Sequence, residues 1–311
     1  MYLVLALLSA FFAGVVSVLS KIGMKDIDSD VGTFLRTIVV LIFTWIMVFV
    51  SNQFDFSAFN WFNTLFLILS GLATGLSWIF YFKALQLGNA NKVAPIDKSS
   101  IVLTILFSFL ILNEAIGLNN ILGAIFITLG TFLMIEKKDI KVNENENKSK
   151  RWIIYAILSA VFAALTSILG KIGVSDLPSN LATAIRTIVV LIFSFLIILG
   201  KRKIKEIKKV TFKDSIFLIL SGIATGLSWL CYYGALKDGV TNVVVSIDKL
   251  SIVFTVIFAF IFLKEKCSVK YLIGLVILVA GTLIIVFVPS IFEFKIWGDF
   301  SIDSHFLLNI K

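Results

Sequence analysis

The sequence predicts an all-α membrane protein of ten transmembrane helices arranged as two inverted five-helix repeats, and three observations carry that reading. The 311 residues are 59% hydrophobic and only 15% charged, with thirty phenylalanines and three prolines, whereas water-soluble domains run at roughly 45–50% apolar and 25% charged. Ten apolar runs are each long enough for a helix to cross about 30 Å of hydrocarbon. The two halves of the chain are copies of one another, five runs to each. Five is an odd number, so a second copy of five spans enters the bilayer upside down relative to the first.

The runs lie near 2–20, 31–50, 62–82, 93–112 and 117–135, then near 152–170, 181–200, 214–236, 242–263 and 269–288. The first starts at Tyr2 with no positively charged region before it and no cleavage-like site after it, so it reads as a retained span and not as a signal peptide. The first and sixth end on the same tripeptide, Lys21-Ile22-Gly23 and Lys171-Ile172-Gly173. The second and seventh share RTIVVLIF, from Arg36 to Phe43 and from Arg186 to Phe193. The third and eighth share FLILSGLATGLSW, from Phe66 to Trp78 and from Phe217 to Trp229, with one Leu-to-Ile change. The fourth and ninth open on Ile96-Asp97-Lys98 and Ile247-Asp248-Lys249. A repeat of this length sets the architecture: a first repeat over 2–136, a charged linker over 137–151 and a second repeat over 152–288. The tail over 289–311 has no counterpart in the first repeat and is too interrupted by charge to span.

Charge placement bears on orientation. The net charge is +9, which by itself fits nucleic acid, an acidic membrane surface or topology signals. With the N-terminus on one side, 20 of the 28 Lys and Arg residues fall in connections on the opposite side, four on the N-terminal side and four within spans. Basic loops stay in the cytoplasm, so the excess is an orientation signal and not a nucleic-acid footprint. Both termini are expected outside a multi-pass protein of the cell membrane. The lone histidine, His305, and the two separated cysteines, Cys231 and Cys267, leave no disulfide framework and no metal-ligand set. No metal and no cofactor are expected.

Ionisable groups within a membrane are costly and are usually paired, turned to a cavity or snorkelling. Arg36, Asp97 and Lys98 form such a set in the first repeat, and Arg186, Asp248 and Lys249 in the second. Asp97, Ser100, Thr104 and Ser108 share one helical face, as do Asp248, Ser251 and Thr255. That stripe reads as the lining of a central path with an acid at each mouth; the alternative is hydroxyls bonded to their own backbone and Asp97 at a helix N-terminus. Gly71 with Gly75, and Gly222 with Gly226, make small-xxx-small faces for helix packing. Trp78, Tyr81, Trp229 and Tyr232 read either as an interfacial aromatic belt or as a cavity wall able to hold apolar and cationic groups. Glu114 and Glu265 read as hydrated boundary carboxylates.

The Lys-Ile-Gly ends, the Arg-Thr openings, LSG(L/I)ATGLSW and (P/S)-I-D-K-(S/L)-S over about residues 2–288 resemble EamA-type members of the drug/metabolite transporter superfamily. The resemblance implies a ten-helix inverted-repeat carrier with a central cavity, exporting small metabolites or drugs. Ten-span relatives are commonly described with both termini in the cytoplasm, and here the charge count points the other way.

The expected mechanism is alternating access between the two repeats. Asp97 with Arg36, Lys21 or Lys98 would close one gate, and Asp248 with Arg186, Lys171 or Lys249 the other. The expected partners are the lipid bilayer, a small-molecule substrate and protons as a coupling ion; no nucleic acid and no oligomer are required. The alternative is a flippase for a lipid-linked substrate or another non-catalytic membrane protein. An enzyme is disfavoured, since there is no Asp-rich metal motif, no nucleophile with a base and no glycine-rich phosphate loop.

Overall fold

The structure is a computed structural model and describes residues 1–23, 27–55, 60–87, 93, 96, 99–134, 151–264, 268–288 and 293–294. Among them lie eleven α-helices. These are α1 (Tyr2–Gly23), α2 (Ser29–Val50), α3 (Trp61–Leu87), α4 (Ser100–Leu112), α5 (Leu118–Met134) and α6 (Arg151–Val174). They continue with α7 (Ser179–Gly200), α8 (Phe212–Asp238), α9 (Thr241–Asp248), α10 (Ser251–Leu263) and α11 (Val269–Phe287). Eight stretches are long and apolar enough to cross a membrane, α9 and α10 counting as one, and the apolar α4 and α5 are shorter.

The ninth run of the sequence is thus two helices and not one. Lys249 and Leu250 bond three residues back, to the carbonyls of Ser246 and Ile247 at 3.2 and 2.9 Å. Ile252 and Val253 do the same to Lys249 and Leu250 at 3.2 and 2.8 Å. This tight 3-10 type of turn replaces the four-residue α-helical ladder and sets Asp248 at the break. Val102 bonds back to Ser99 at 2.9 Å in the same way at the start of α4.

Outward faces are apolar at helical spacing. Ile42, Ile46 and Phe49 of α2 are exposed, and so are their counterparts Ile192, Leu196 and Leu199 of α7. Continuous apolar surface of this kind is unfavourable in water and matches hydrocarbon.

The two repeats interlock. The first helix of each packs on the third of the other, α1 on α8 and α6 on α3, while α2 packs on α7 and α5 on α11. Small polar residues hold the first two contacts. Ser77 and Ser159 bond reciprocally, each hydroxyl donating to the other's carbonyl at 3.1 and 3.2 Å. Their counterparts repeat half of it, with Ser228 donating to the Ser9 carbonyl at 3.1 Å. In hydrocarbon such close approach and hydrogen bonding take the place of hydrophobic burial.

The equivalent helices α5 and α11 run antiparallel. A Cβ at Gly130 would lie 2.5 Å from the Gly274 carbonyl oxygen, and one at Gly281 would lie 2.7 Å from the Gly123 carbonyl oxygen. The glycine faces of α3 and α8 meet the other repeat in matching fashion. A Cβ at Gly71 would lie 2.8 Å from Val189 Cβ, and one at Gly75 would run into the Phe193 ring. A Cβ at Gly222 would lie 2.6 Å from Val39 Cβ, and one at Gly226 would lie 2.5 Å from the Phe43 ring.

Connections meet at two ends of the bundle. At one, Lys201 donates to Asp30 at 2.8 Å, and Lys203 donates to Asp28 and Asp30 at 2.6 Å each. At the other, Asn180 bonds Ser51 and Gln53 at 2.9 and 3.0 Å, and Asn63 donates to Asp176 at 2.9 Å. There too Ile116–Gly117 (β1) pairs antiparallel with Glu293–Phe294 (β2), which gives part of the tail a partner; the rest of the tail lies outside the described residues.

Candidate functional site

Arg186 of α7 is 2% exposed in the middle of the bundle. It faces Ser70 and Thr74, which lie one turn apart on α3 and so share a face. Its Nε donates to Ser70 Oγ at 3.1 Å and its Nη2 to Thr74 Oγ1 at 2.5 Å. Both hydroxyls can accept because each spends its own proton on a helix carbonyl, Ser70 on Thr166 at 2.8 Å and Thr74 on Ser70 at 3.0 Å. The guanidinium carbon sits 4.9 Å from the Trp229 ring centre and 4.7 Å from that of Tyr233. Aromatic faces offset part of the cost of burying the charge. The third nitrogen, Nη1, is buried and has no hydrogen-bond partner among the described residues.

The counterpart in the first repeat is built differently. Arg36 is partly buried, and its Nη1 donates to Ser20 Oγ at 2.9 Å, which in turn lies 2.8 Å from Ser221 Oγ. Gly170 occupies the place of Ser20 in the second repeat. A Cβ there would come within 2.5 Å of the Tyr233 ring. The tyrosine therefore excludes the serine that would have satisfied Arg186.

The Tyr233 ring lies against the Arg186 guanidinium, and Tyr232 lies beside Tyr233. Their rings meet edge to face, 5.3 Å apart at 89°, and the Tyr232 hydroxyl is 2.8 Å from that of Ser167. Asp248 is partly buried and accepts from Ser9 Oγ at 3.3 Å. The buried cation thus sits against two adjacent tyrosines, one of which reaches Ser167.

The other residues singled out in the sequence are distributed more widely. Lys249 follows Asp248 in the break between α9 and α10. Ser100 and Thr104 are buried, and Thr104 donates to the Ser100 carbonyl at 3.0 Å. Ser108 lies 2.6 Å from Asn242 of α9, and Thr255 donates to the Ser251 carbonyl at 2.9 Å. Trp78 borders a small concavity with Asp30, Thr33, Ser194 and Ile197, while Tyr81 packs against Ala84, Val93 and Ala156. Lys171 donates to the C-terminal carbonyls of Leu236, Lys237 and Gly239, where the helix dipole favours a cation. Asp97, Lys98, Glu265, Cys267 and His305 lie outside the described residues, as does the Lys21 side chain. Among the described residues no three His, Cys, Asp or Glu side chains gather as a metal site.

Ser70, Thr74 and Tyr233 are site residues that the sequence reading passed over, and Glu114, expected as a hydrated boundary carboxylate, is a support residue. Glu114 is no free boundary acid: it accepts from Thr241 at the start of α9. One signal was readable. Ser20 against Gly170 and Phe82 against Tyr233 are differences between two otherwise closely matching copies.

Comparison with known proteins agrees with this architecture. A model of the EamA-like transporter family matches residues 1–136 and again 150–287. An uncharacterized transporter in the cobO 3′ region of a Sinorhizobium species is 45% identical over 133 residues, 42% of this chain and 92% of its own length. That relative is thus about one repeat long. An uncharacterized transporter of Archaeoglobus fulgidus is 22% identical over 268 residues, 86% of this chain and 91% of its own. One solved crystal structure superposes with a TM-score of 0.75 at 13% identity, covering 91% of this chain and 94% of that one, a likeness of fold.

Proposed function

This chain belongs to the EamA-like transporter family, and from that premise we propose a secondary carrier that moves a small metabolite or drug-like solute outward by alternating access. The single observation that carries the reading is the antiparallel packing of the equivalent helices α5 and α11. Gly123 meets Gly281 and Gly130 meets Gly274, which is how two inverted repeats of five spans would cross. Inverted repeats can exchange conformations so that one central site opens to each side in turn.

In this reading the chain spans the cell membrane ten times, α4 and the residues before it making the fourth span and α5 the fifth. The end that carries Lys201 and Lys203 is cytoplasmic, on the positive-inside rule, and both termini are outside. Asp97 serves the cytoplasmic gate with Arg36, Lys21 or Lys98. Asp248 serves the outer one with Arg186, Lys171 or Lys249, and it accepts from Ser9 in the conformation described. Protonation of either acid weakens its gate and couples transport to protons.

Counterflow in proteoliposomes tests the reading. Exchange of a labelled solute is expected, with Asp97→Asn and Asp248→Asn each impaired. Full transport by both variants removes the acids from the mechanism, and movement of a fluorescent lipid without solute flux makes the protein a flippase. A fluorescent reporter that matures only in the cytoplasm, fused to Lys311, is expected to stay dark; bright full-length protein reverses the orientation.

A further inference from the structure

A guanidinium has five N–H donors, and Ser70 and Thr74 take two of those on Arg186. They occupy the Nε and Nη2 edge, since they come from successive turns of one helix. Left over are both N–H groups of Nη1 and one of Nη2, the end of the fork, which matches the two oxygens of a carboxylate or phosphate. Among the described residues no carboxylate lies in ion-pair range of Arg186, and Nη1 has no hydrogen-bond partner. A buried charge without a counter-charge is among the least favourable arrangements a protein can hold.

The first repeat shows that the vacancy is particular to the second. There the same nitrogen of the equivalent Arg36 is satisfied by Ser20. At the matching position the second repeat has Gly170, with the Tyr233 ring against it. Trp229 and Tyr233 then wall the guanidinium, so the aromatic faces that could have received a cationic solute are already filled by a cation of the chain itself.

We propose that Arg186, through Nη1, is the anchor for the anionic group of the transported solute, a carboxylate or phosphate, with Trp229 and Tyr233 as the wall beside it. The inference rests on the carrier reading for access, because Nη1 is closed off in the conformation described and must open to one side to be loaded. It narrows the substrate class to small organic or inorganic anions.

Purified full-length protein in detergent, followed by tryptophan fluorescence and thermal unfolding, tests it without any need for transport. The probes are acetate, benzoate, glutamate and inorganic phosphate, set against acetamide, benzamide, glutamine and trimethyl phosphate as their uncharged-group counterparts and benzylamine as a cationic one, at equal ionic strength. At least one anion is expected to bind saturably while its neutral and cationic counterparts do not. Arg186→Gln should weaken that binding about tenfold or more, and Arg186→Lys, which keeps the charge but loses the fork, should weaken it measurably. Lys209→Gln removes an equal charge from an exposed side chain and should leave it unchanged.

Should no anion in the panel bind better than its neutral counterpart, the inference is overturned; the comparison is made on the unmutated protein and does not depend on a variant folding. Equal anion binding by folded Arg186→Gln overturns it as well. Anion binding in detergent with no anion flux in proteoliposomes leaves the anchor standing and removes the carrier reading. Flux of a neutral or cationic solute untouched by Arg186→Gln does the reverse.

Discussion

Glu114, after the last turn of α4, caps Thr241 at the first turn of α9 in the other repeat. The Thr241 N–H points at both carboxylate oxygens, at 2.9 and 3.0 Å, and its hydroxyl donates to Oε1 at 2.7 Å. A carboxylate at a helix N-terminus satisfies an orphan donor and faces the positive end of the dipole. The contact also ties the repeats together at the start of α9, the helix whose far end is the break that holds Asp248.

Replacing Glu114 should therefore loosen α9. Glu114→Ala is expected to lower stability by about 1–2 kcal/mol, the range of a lost N-cap, and Glu114→Gln by less because an acceptor oxygen remains. Thermal unfolding in detergent reads the difference. Equal stability of all three proteins would show that the cap is idle.

Glycine contacts should rank by what a side chain would meet. At Gly130 the obstacle is backbone, the Gly274 carbonyl at 2.5 Å, whereas Gly200 has nothing within 4 Å. Gly130→Val is expected to cost about 1–3 kcal/mol or more through forced separation of α5 and α11. Gly200→Val should cost only a few tenths. Size-exclusion profiles and melting temperatures of the two variants check the ranking.

Lys203 gives a pH-dependent term. Burial opposes its charge, but hydrogen bonds to Asp28 and Asp30 outweigh that and raise its pKa above the ordinary lysine value of 10.5. A raised folded pKa means that the contribution is fully present below the unfolded value and is lost as pH rises through the folded one. The melting-temperature gap between the unmutated protein and Lys203→Gln should hold steady below the ordinary lysine value and close as pH rises through the raised folded one. A gap that grows with pH would contradict this sign.

The serine pair between α3 and α6 should show coupling. Ser77→Ala and Ser159→Ala each remove one of two reciprocal bonds. Each is expected to cost about 0.6 kcal/mol, typical of interhelical hydrogen bonds in membranes. The double variant should cost less than the two together, because the partners are shared. Strict additivity in a double-mutant cycle would show that the hydroxyls act independently.

Hydropathy and repetition made much of the architecture legible without coordinates. A run of about twenty apolar residues has few fates other than a span, and RTIVVLIF recurring at Arg186 ties two distant stretches to one geometry. Helix ends and breaks were less legible. The run over 242–263 reads as continuous because its hydropathy is, and the turn at Lys249 and Leu250 depends on which carbonyl each N–H reaches.

The polar centre divides along the same line. The sequence by itself determined that Arg186 and Asp248 fall within long apolar runs. Only the tertiary structure decided what they face. Arg186 bonds Ser70 and Thr74, 116 and 112 residues away, and Asp248 bonds Ser9, 239 residues away. Periodicity reports which residues share a face of one helix, but not which face of another helix comes to meet it. That second choice is made by packing, here by glycines and serines that let the backbones close, and it leaves one arginine nitrogen without a partner among the described residues.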